Sequence, residues 1–236
     1  MSSKPANLEQ QDNISIITLD DGKANVFSPI MIDAVNECLD SVPTESGSLV
    51  IKGRGGIFSG GFDLKVLQSG DNKLIKEMTQ GGFKLLSRIF SFPRPVIAAC
   101  SGHGIALGAF LLCCCDYRVG TKGEFMVGAN EMRTNMVIPT PILELIRFRV
   151  AQSHKYKAVL GAEMYNLDAA VGVGFIDEII EPAKLDERVM EKAKELSEMG
   201  HPSYTMTKEL FIKDTHEAIE NYLSKLDPDT EALKRF

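Results

Sequence analysis

Two glycine-rich segments, each placed after a short apolar run, restrict the possible folds of this chain more than any other feature. Residues 53–56 and 58–63 read Gly-Arg-Gly-Gly and Phe-Ser-Gly-Gly-Phe-Asp, and they follow the apolar stretch 49–52. Residues 101–104, Ser-Gly-His-Gly, follow the apolar stretch 96–100. Glycine tolerates backbone conformations and close approaches that side chains forbid. The pattern predicts an irregular loop in the first place and a tight turn in the second, both able to approach a ligand closely.

The remaining apolar pattern alternates strands with helices and ends in helices alone. Short β-branched or continuous apolar runs predict strands, and apolar residues at helical spacing predict helices. Strands are predicted at residues 14–19, 49–52, 96–100, 117–119, 125–127 and 176–180, and helices at 30–39, 72–92, 105–115, 139–150, 153–160, 169–173, 185–199 and 203–226. The helix at 105–115 is apolar on every side, so we expect it in the core. The order indicates an α/β fold with a helical end.

Composition excludes several classes of function. The 236 residues carry 26 Lys and Arg against 32 Asp and Glu, so a net charge of -6 gives no field that attracts nucleic acid or anionic lipid. The N-terminal segment lacks an apolar core, and the longest apolar run is too short to span a bilayer. We therefore expect a cytoplasmic protein with no nucleic-acid or membrane partner. The five cysteines, three of them adjacent at 113–115, match neither a disulfide framework nor metal-ligand spacing, which predicts core residues and no metal.

The sequence does not match the glycine motifs of nucleotide-binding proteins or of serine hydrolases. In the segment 102–108 the third glycine comes one position too late for a dinucleotide-binding GxGxxG, and no GxxxxGK[ST] is present. Ile57 stands where a serine-hydrolase elbow around Ser59 needs glycine. What remains is a pair of loops with exposed backbone N–H groups, one of them at the start of a buried helix. Such a pair can form an oxyanion hole, because both the free N–H groups and the helix dipole favour negative charge.

The order of these segments resembles the crotonase (enoyl-CoA hydratase/isomerase) family. The resemblance is carried by Phe-Ser-Gly-Gly-Phe-Asp-Leu at 58–64, Pro-Val-Ile-Ala-Ala-Cys-Ser-Gly at 95–102 and Leu-Gly at 107–108. It implies a spiral of ββα units over residues 1–182, followed by a helical region at 183–236 that packs on the core or on neighbouring subunits. It also implies an acyl-CoA thioester as substrate in fatty acid metabolism, no separate cofactor since coenzyme A is part of the substrate, and a homotrimer or dimer of trimers.

The resemblance assigns backbone roles to two residues. It implies that the N–H groups of Phe62 and Leu107 form the oxyanion hole. It further implies a substrate-binding set consisting of Ser59, Gly60, Gly61, Asp63, Leu64, Lys65, Gly108 and Phe110. Two members have alternatives: Asp63 could cap a helix instead, and Lys65 could be a surface charge instead of a partner for a coenzyme phosphate.

The candidate acid/base residue limits which reactions of the family this chain can catalyse. Family members that hydrate a double bond use two glutamates, and Phe110 stands at the first of these positions. Residues 127–131, Val-Gly-Ala-Asn-Glu, resemble the Gly-Leu-Asn-Glu element of mitochondrial-type 3,2-enoyl-CoA isomerases, which makes Glu131 the candidate base. One carboxylate suffices for a 1,3-proton shift, so the favoured activity is a 3-enoyl to 2-enoyl isomerase. A hydratase or other crotonase-type enzyme stays open if its second polar group comes from elsewhere in the chain. A non-catalytic acyl-CoA-binding homologue stays open because of Phe110 and the altered loop after Glu131, where Arg133 could pair with Glu131 and lower its basicity.

Overall fold

The computed structural model describes residues 4–226. Its strands are β1 (Ala6–Gln11), β2 (Ile14–Leu19), β3 (Val26–Phe27), β4 (Ser48–Lys52), β5 (Gly56–Ser59), β6 (Gly61–Phe62), β7 (Val96–Cys100), β8 (Gly102–Ile105), β9 (Tyr117–Thr121), β10 (Met126–Gly128), β11 (Tyr165–Asn166) and β12 (Glu178–Ile180). Its α-helices are α1 (Pro29–Asp40), α2 (Leu64–Leu67), α3 (Asn72–Phe90), α4 (Leu107–Cys114), α5 (Thr140–Arg149), α6 (Lys155–Val159), α7 (Leu167–Val173), α8 (Leu185–Ser197) and α9 (His201–Leu223).

Two larger sheets and one strand pair organise the chain. The six-stranded sheet has the order β1-β2-β4-β7-β9-β12; only the β1–β2 pair is antiparallel. The four-stranded sheet has the order β11-β10-β8-β5, and β3 pairs with β6 alone. Parallel neighbours need a crossover connection, which here is supplied by the second strand and the helix of each unit.

A ββα unit repeats along the chain. The successive sets β2-β3-α1, β4-β5-α3, β7-β8-α4 and β9-β10-α5 each place their first strand in the six-stranded sheet. In the last three sets the second strand joins the four-stranded sheet, and a helix follows. This arrangement confirms the predicted α/β fold built from ββα units.

The glycine-rich segments are more regular than the sequence predicts. The first contains the strands β5 and β6, and the tight turn expected at 101–104 is largely the strand β8. Glycine makes this pairing possible, because a Cβ on Gly102 would lie 1.9 Å from the carbonyl carbon of Gly56 on the neighbouring strand. The prediction of irregular structure was therefore wrong for these residues, since the glycines serve close backbone pairing as well as turns.

The core lies between the sheets and the helices α1, α3, α4 and α5. Every residue of α4 is buried, which confirms the predicted core helix, although it begins at Leu107 and not at Ile105. All five cysteines are buried and free, as expected of core residues. Burial raises the pKa of the Cys100 thiol to about 12 and that of Cys113 to about 11, so these thiols stay protonated and unreactive.

The two C-terminal helices pack on the core of the same chain. Helix α8 covers the outer face of the six-stranded sheet, where Leu185, Val189 and Ala193 join an apolar cluster with residues of β2, β4, β7 and β9. Helix α9 is held by an ion pair between Lys208 Nζ and Asp116 Oδ2 at 2.7 Å. The division of the chain at residue 182 stays a prediction, and residues 227–236 of the predicted helical region lie outside the described residues.

Within residues 4–226, no helix combines the length and the apolar character that crossing a bilayer requires.

Candidate active site

The turn between β5 and β6 is fixed by Ser59. Its buried hydroxyl donates to the carbonyl of Asn25 at 2.7 Å and accepts from the Gly61 N–H at 3.1 Å. The Gly60 N–H donates to the carbonyl of Ala24 at 2.8 Å. These bonds attach the turn to the segment before β3, so Ser59 holds the loop backbone in place.

Pairing between β3 and β6 sets the direction of the Phe62 N–H. Phe27 lies opposite Phe62 in this parallel pair, and the next N–H group, that of Asp63, donates to the Phe27 carbonyl at 3.4 Å. Successive N–H groups of a strand point to opposite edges. The N–H of Phe62 therefore points away from β3.

The start of α4 lies against the same loop. A Cβ placed on Gly61 would lie 3.3 Å from the Leu107 nitrogen and 2.9 Å from the Ala106 Cβ, so the two backbones are in contact here. Leu107 is the first residue of the helix, and its N–H precedes the first intrahelical hydrogen bonds, which Ala109 and Phe110 donate to the Ala106 carbonyl. The geometry thus brings together the two segments that carry the predicted oxyanion donors.

Ala106, the residue before α4, has a strained backbone conformation. Its φ of 52° and ψ of -122° fall where a side chain is disfavoured and glycine is accepted. We expect Ala106→Gly to raise the free energy of unfolding by about 1 kcal/mol, since it removes strain that outweighs the backbone entropy of glycine. Urea denaturation measures this effect. Destabilisation by the glycine would show that the conformation carries no strain.

Glu131 follows strand β10, which is hydrogen-bonded to the backbone of Ala106. Strand β10 runs parallel to β8 with Gly128 opposite Ile105, and the Gly128 carbonyl accepts the Ala106 N–H at 3.0 Å. Three residues later Glu131 opens a short 3-10 helix, Glu131–Thr134. The backbone that carries Glu131 is therefore tied directly to the residue before Leu107.

The carboxylate of Glu131 is largely withdrawn from water. Its Oε2 atom is buried and makes no hydrogen bond within residues 4–226. Burial raises the pKa of Glu131 from 4.5 to about 7, while the backbone N–H groups of Glu131 and Asn130 act in the opposite direction. A carboxylate with this pKa is a stronger base than one in water and is still ionised in part at neutral pH.

Arg133 does not pair with Glu131. Its Nε donates to the carbonyl of Ala162 at 2.8 Å, which draws the guanidinium toward the loop before β11. The pairing of Arg133 with Glu131 that the sequence left open is therefore not formed, because the guanidinium bonds to Ala162. Arg133 instead anchors the turn that carries the candidate base.

A single pocket brings these groups together. It has a cavity volume of about 130 Å³, and its walls are mostly apolar. Its lining residues are Gly60, Phe62, Leu64, Leu67, Thr79, Phe83, Ala106, Leu107, Phe110, Asn130, Glu131, Thr134, Met136, Val137, Ile138, Pro139 and Ile142. Glu131 is the one carboxylate in this set, and Phe110 lies one helical turn beyond Leu107.

The predicted substrate-binding residues divide into two groups. Gly60, Leu64 and Phe110 line the pocket, whereas Ser59, Gly61, Asp63, Lys65 and Gly108 do not. The carboxylate of Asp63 accepts the Lys65 N–H at 2.9 Å and so caps α2, which is the alternative role left open by the sequence. A Cβ on Gly108 would lie 2.4 Å from the Ser59 carbonyl oxygen, so this glycine serves the packing of α4 on β5. The side chain of Lys65 is exposed.

Several lining residues were missed by sequence reasoning. Thr79 and Phe83 lie on α3, Ile142 lies on α5, and Thr134 and residues 136–139 belong to the segment between Glu131 and α5. The amphipathic pattern of α3 could identify its buried face but not the pocket within it. Helices α8 and α9 contribute no lining residue over the part of the chain that is described.

No metal-binding cluster stands beside this pocket. Across residues 4–226, no group of three or more His, Cys, Asp or Glu side chains is placed to hold a metal ion. His103, next to the glycine turn, accepts the Met126 N–H on its Nδ1 at 3.1 Å and links β8 to β10. Its role there is structural.

Comparison with known proteins identifies a matching family and similar solved structures. Residues 9–229 match the family described as "Enoyl-CoA hydratase/isomerase". The structure is similar to that of an enoyl-CoA hydratase from Mycobacterium marinum, with 38% identity, 95% of this chain and 99% of that chain covered, and a TM-score of 0.89. It is also similar to an apo enoyl-CoA isomerase from Mycobacterium tuberculosis, with 36% identity, 97% and 100% covered, and a TM-score of 0.88.

A more distant relative carries the isomerase name as well. The peroxisomal enoyl-CoA delta isomerase 1 of Arabidopsis thaliana is 24% identical over 87% of this chain and 91% of its own length. The family match extends over nearly the whole chain, and the predicted ββα architecture is present. The chain therefore belongs to the enoyl-CoA hydratase/isomerase family.

Proposed function

We propose that this chain is an enoyl-CoA isomerase that moves a double bond of an acyl-CoA thioester from the 3 to the 2 position. One observation carries the proposal: Glu131 is the one carboxylate lining a pocket that also contains the segments bearing the Phe62 and Leu107 amides. Phe110 lines the same pocket, and the resemblance to the family places the second glutamate of hydratases at its position. A 1,3-proton shift needs a single residue that can both remove and return a proton. Glu131 suits this role because its Oε2 atom is buried and makes no hydrogen bond within residues 4–226.

The mechanism has two proton transfers. The Glu131 carboxylate removes a proton from C2 of the 3-enoyl thioester, and the electrons move toward the thioester oxygen to form a dienolate. The N–H groups of Phe62 and Leu107 bind the negative oxygen, each such donor being worth roughly 3 kcal/mol in comparable sites. Glu131, now protonated, returns the proton to C4, which leaves the double bond between C2 and C3.

The apolar walls support this chemistry in two ways. Phe110 and Leu107 are buried and exclude water from one side of the pocket. A dry environment strengthens the interaction of the dienolate with the N–H donors and keeps Glu131 basic. Phe110 itself transfers no proton, so the site favours a reaction in which no water is added.

The hydratase alternative requires a further polar group. Relatives of this chain carry both hydratase and isomerase names. In the pocket the other polar side chains are Thr79, Asn130 and Thr134, and none of them is a carboxylate that could activate water alongside Glu131. A non-catalytic acyl-CoA-binding role would require neither the unbonded Oε2 atom of Glu131 nor its place in the pocket lining.

The decisive experiment offers the purified protein three thioesters. Incubation with 3-hexenoyl-CoA is expected to produce the conjugated 2-enoyl thioester, seen by its ultraviolet absorbance. Crotonyl-CoA in water tests hydration, and a saturated acyl-CoA in deuterium oxide tests α-proton exchange. Hydration of crotonyl-CoA without isomerisation would favour the hydratase, and tight binding with neither reaction nor exchange would favour a binding protein.

The pH dependence of isomerisation follows from the state of Glu131. The base acts as the ionised carboxylate, and its pKa is raised to about 7 by burial. We expect kcat/KM to be constant above pH 8 and to fall about tenfold per pH unit well below pH 7, as one essential group is protonated. Initial rates between pH 5 and pH 9 test this. A rate that stays level down to about pH 5 would contradict the raised pKa of the catalytic base, because a carboxylate of ordinary pKa near 4.5 gives such a profile.

A further inference from the structure

The pocket beside Glu131 is closed at its inner end by buried side chains. Phe110 and Ile142 are each 2% exposed and Phe83 is 5% exposed, whereas Leu64 and Val137 are 59% and 54% exposed. Since all five line the same cavity, the exposed pair lies at the mouth and the buried three lie at the floor. An acyl chain entering past the mouth therefore ends against Phe83, Phe110 and Ile142.

The side chains of the floor are closely packed, so they cannot move far to enlarge the cavity. The ring of Phe62 lies directly on α3, where a Cβ on Gly82 would be 2.5 Å from its Cε1 atom. Phe62 and Phe83 also pack edge to face with ring centroids 5.9 Å apart. Closely packed interiors resist expansion, because enlarging the cavity displaces several side chains at once. The whole pocket, from the mouth to the floor, has a volume of about 130 Å³, so the closed end accepts no more than this.

The buried polar side chain on the same helix as Phe83, Thr79, is already satisfied. Thr79 is 3% exposed, and its hydroxyl donates to the Ile75 carbonyl at 2.9 Å. A hydroxyl or carboxyl group on the end of the acyl chain would be buried there without a matching partner, which is unfavourable. The cavity suits an unsubstituted hydrocarbon end.

We propose that the enzyme acts on short-chain acyl thioesters, with an unsubstituted acyl group of about six carbons or fewer, and that Ile142 sets the upper limit. An apolar protein cavity of roughly 150 Å³ holds benzene, a six-carbon molecule, so a slightly smaller one holds an acyl group of similar size. This inference rests on the proposed function for its catalytic test, since it takes Glu131 and the Phe62 and Leu107 amides as the reacting end of the same pocket.

Binding and turnover test the inference separately. Calorimetric dissociation constants of butyryl-, hexanoyl-, octanoyl- and decanoyl-CoA need no reaction, and we expect decanoyl-CoA to bind at least about tenfold more weakly than hexanoyl-CoA. The kcat/KM of the matching 3-enoyl thioesters is expected to fall in the same order. If decanoyl-CoA binds as tightly as hexanoyl-CoA or more tightly, the chain-length inference is overturned.

Two variants of α5 give a matched comparison. Ile142→Ala enlarges the pocket, while Ile146→Ala removes the same atoms one turn further on, where Ile146 is 1% exposed but does not line the pocket. We expect Ile142→Ala to bind decanoyl-CoA about tenfold more tightly than Ile146→Ala does. Equal affinities in the two variants would remove Ile142 from the proposal, and the wild-type series decides the chain length even if a variant does not fold.

The two proposals fail in different ways. A protein that isomerises none of the thioesters but still binds short chains best would reject the isomerase and leave the chain-length inference standing. A protein that isomerises ten-carbon and six-carbon substrates equally well would reject the chain-length inference and leave the isomerase standing.

Discussion

Replacing Glu131 with glutamine is expected to lower the isomerisation rate by about a thousandfold, because a positioned general base contributes roughly 10² to 10⁴ in rate. Glutamine has nearly the same shape but cannot accept the C2 proton. Substrate affinity should change little, since the pocket walls and the Phe62 and Leu107 amides are untouched. The loss should therefore appear in kcat and not in KM.

The same change is expected to stabilise the protein above pH 7. The folded-state pKa of Glu131 is raised from 4.5 to about 7, so its stabilising contribution is fully present below pH 4.5 and is lost as the pH rises through 7. Glutamine stays neutral and keeps that contribution. We expect the variant to exceed the wild type in free energy of unfolding by about 3 kcal/mol at pH 8 and by almost nothing at pH 4.5.

Denaturant unfolding at the two pH values, together with the rate assay, checks both effects. Glu124→Gln is a suitable control, because Glu124 is an exposed glutamate in the loop before β10 and lies outside the pocket. It should leave the rate and the pH dependence of stability unchanged. An active Glu131→Gln enzyme would remove Glu131 from the mechanism, and equal stability at pH 8 would show that its carboxyl is not buried as described.

Removing the Leu107 N–H is expected to lower kcat by about 10² to 10³, the cost of losing one oxyanion donor. The sharpest change replaces Leu107 with its α-hydroxy analogue, which turns the backbone amide into an ester and leaves the side chain in place. Stability should fall little, because the N–H of the first helical residue has no intrahelical acceptor.

The matched control is the same amide-to-ester change at Leu111. Leu111 lies one turn further along α4 and is buried, but it does not line the pocket. Its N–H belongs to the helix ladder, so the ester there should lower stability by about 1 kcal/mol and leave kcat nearly unchanged. A large loss of activity at Leu111 with none at Leu107 would contradict the proposed oxyanion hole.

Much of the fold was predictable because many of its strands and helices follow from apolar patterns among neighbouring residues. The strands 14–19 and 96–100 were predicted with the boundaries that β2 and β7 have, since their apolar runs end at polar or glycine residues. The buried helix α4 was predicted from a sequence that is apolar on every side. The strands β5, β6 and β8 were missed, because their pairing depends on partners more than 30 residues away and on glycines that read locally as loop.

The sequence by itself determined the alternation of strands with helices and the core helix. These are properties of side-chain type and periodicity, which are present in the unfolded chain. Only the tertiary structure decided that the Gly61 backbone meets the Leu107 amide, that Arg133 bonds to Ala162 and leaves Glu131 free, and that burial raises the pKa of Glu131. Those outcomes depend on distances between segments far apart in sequence and on the water that folding removes, and no local pattern encodes either.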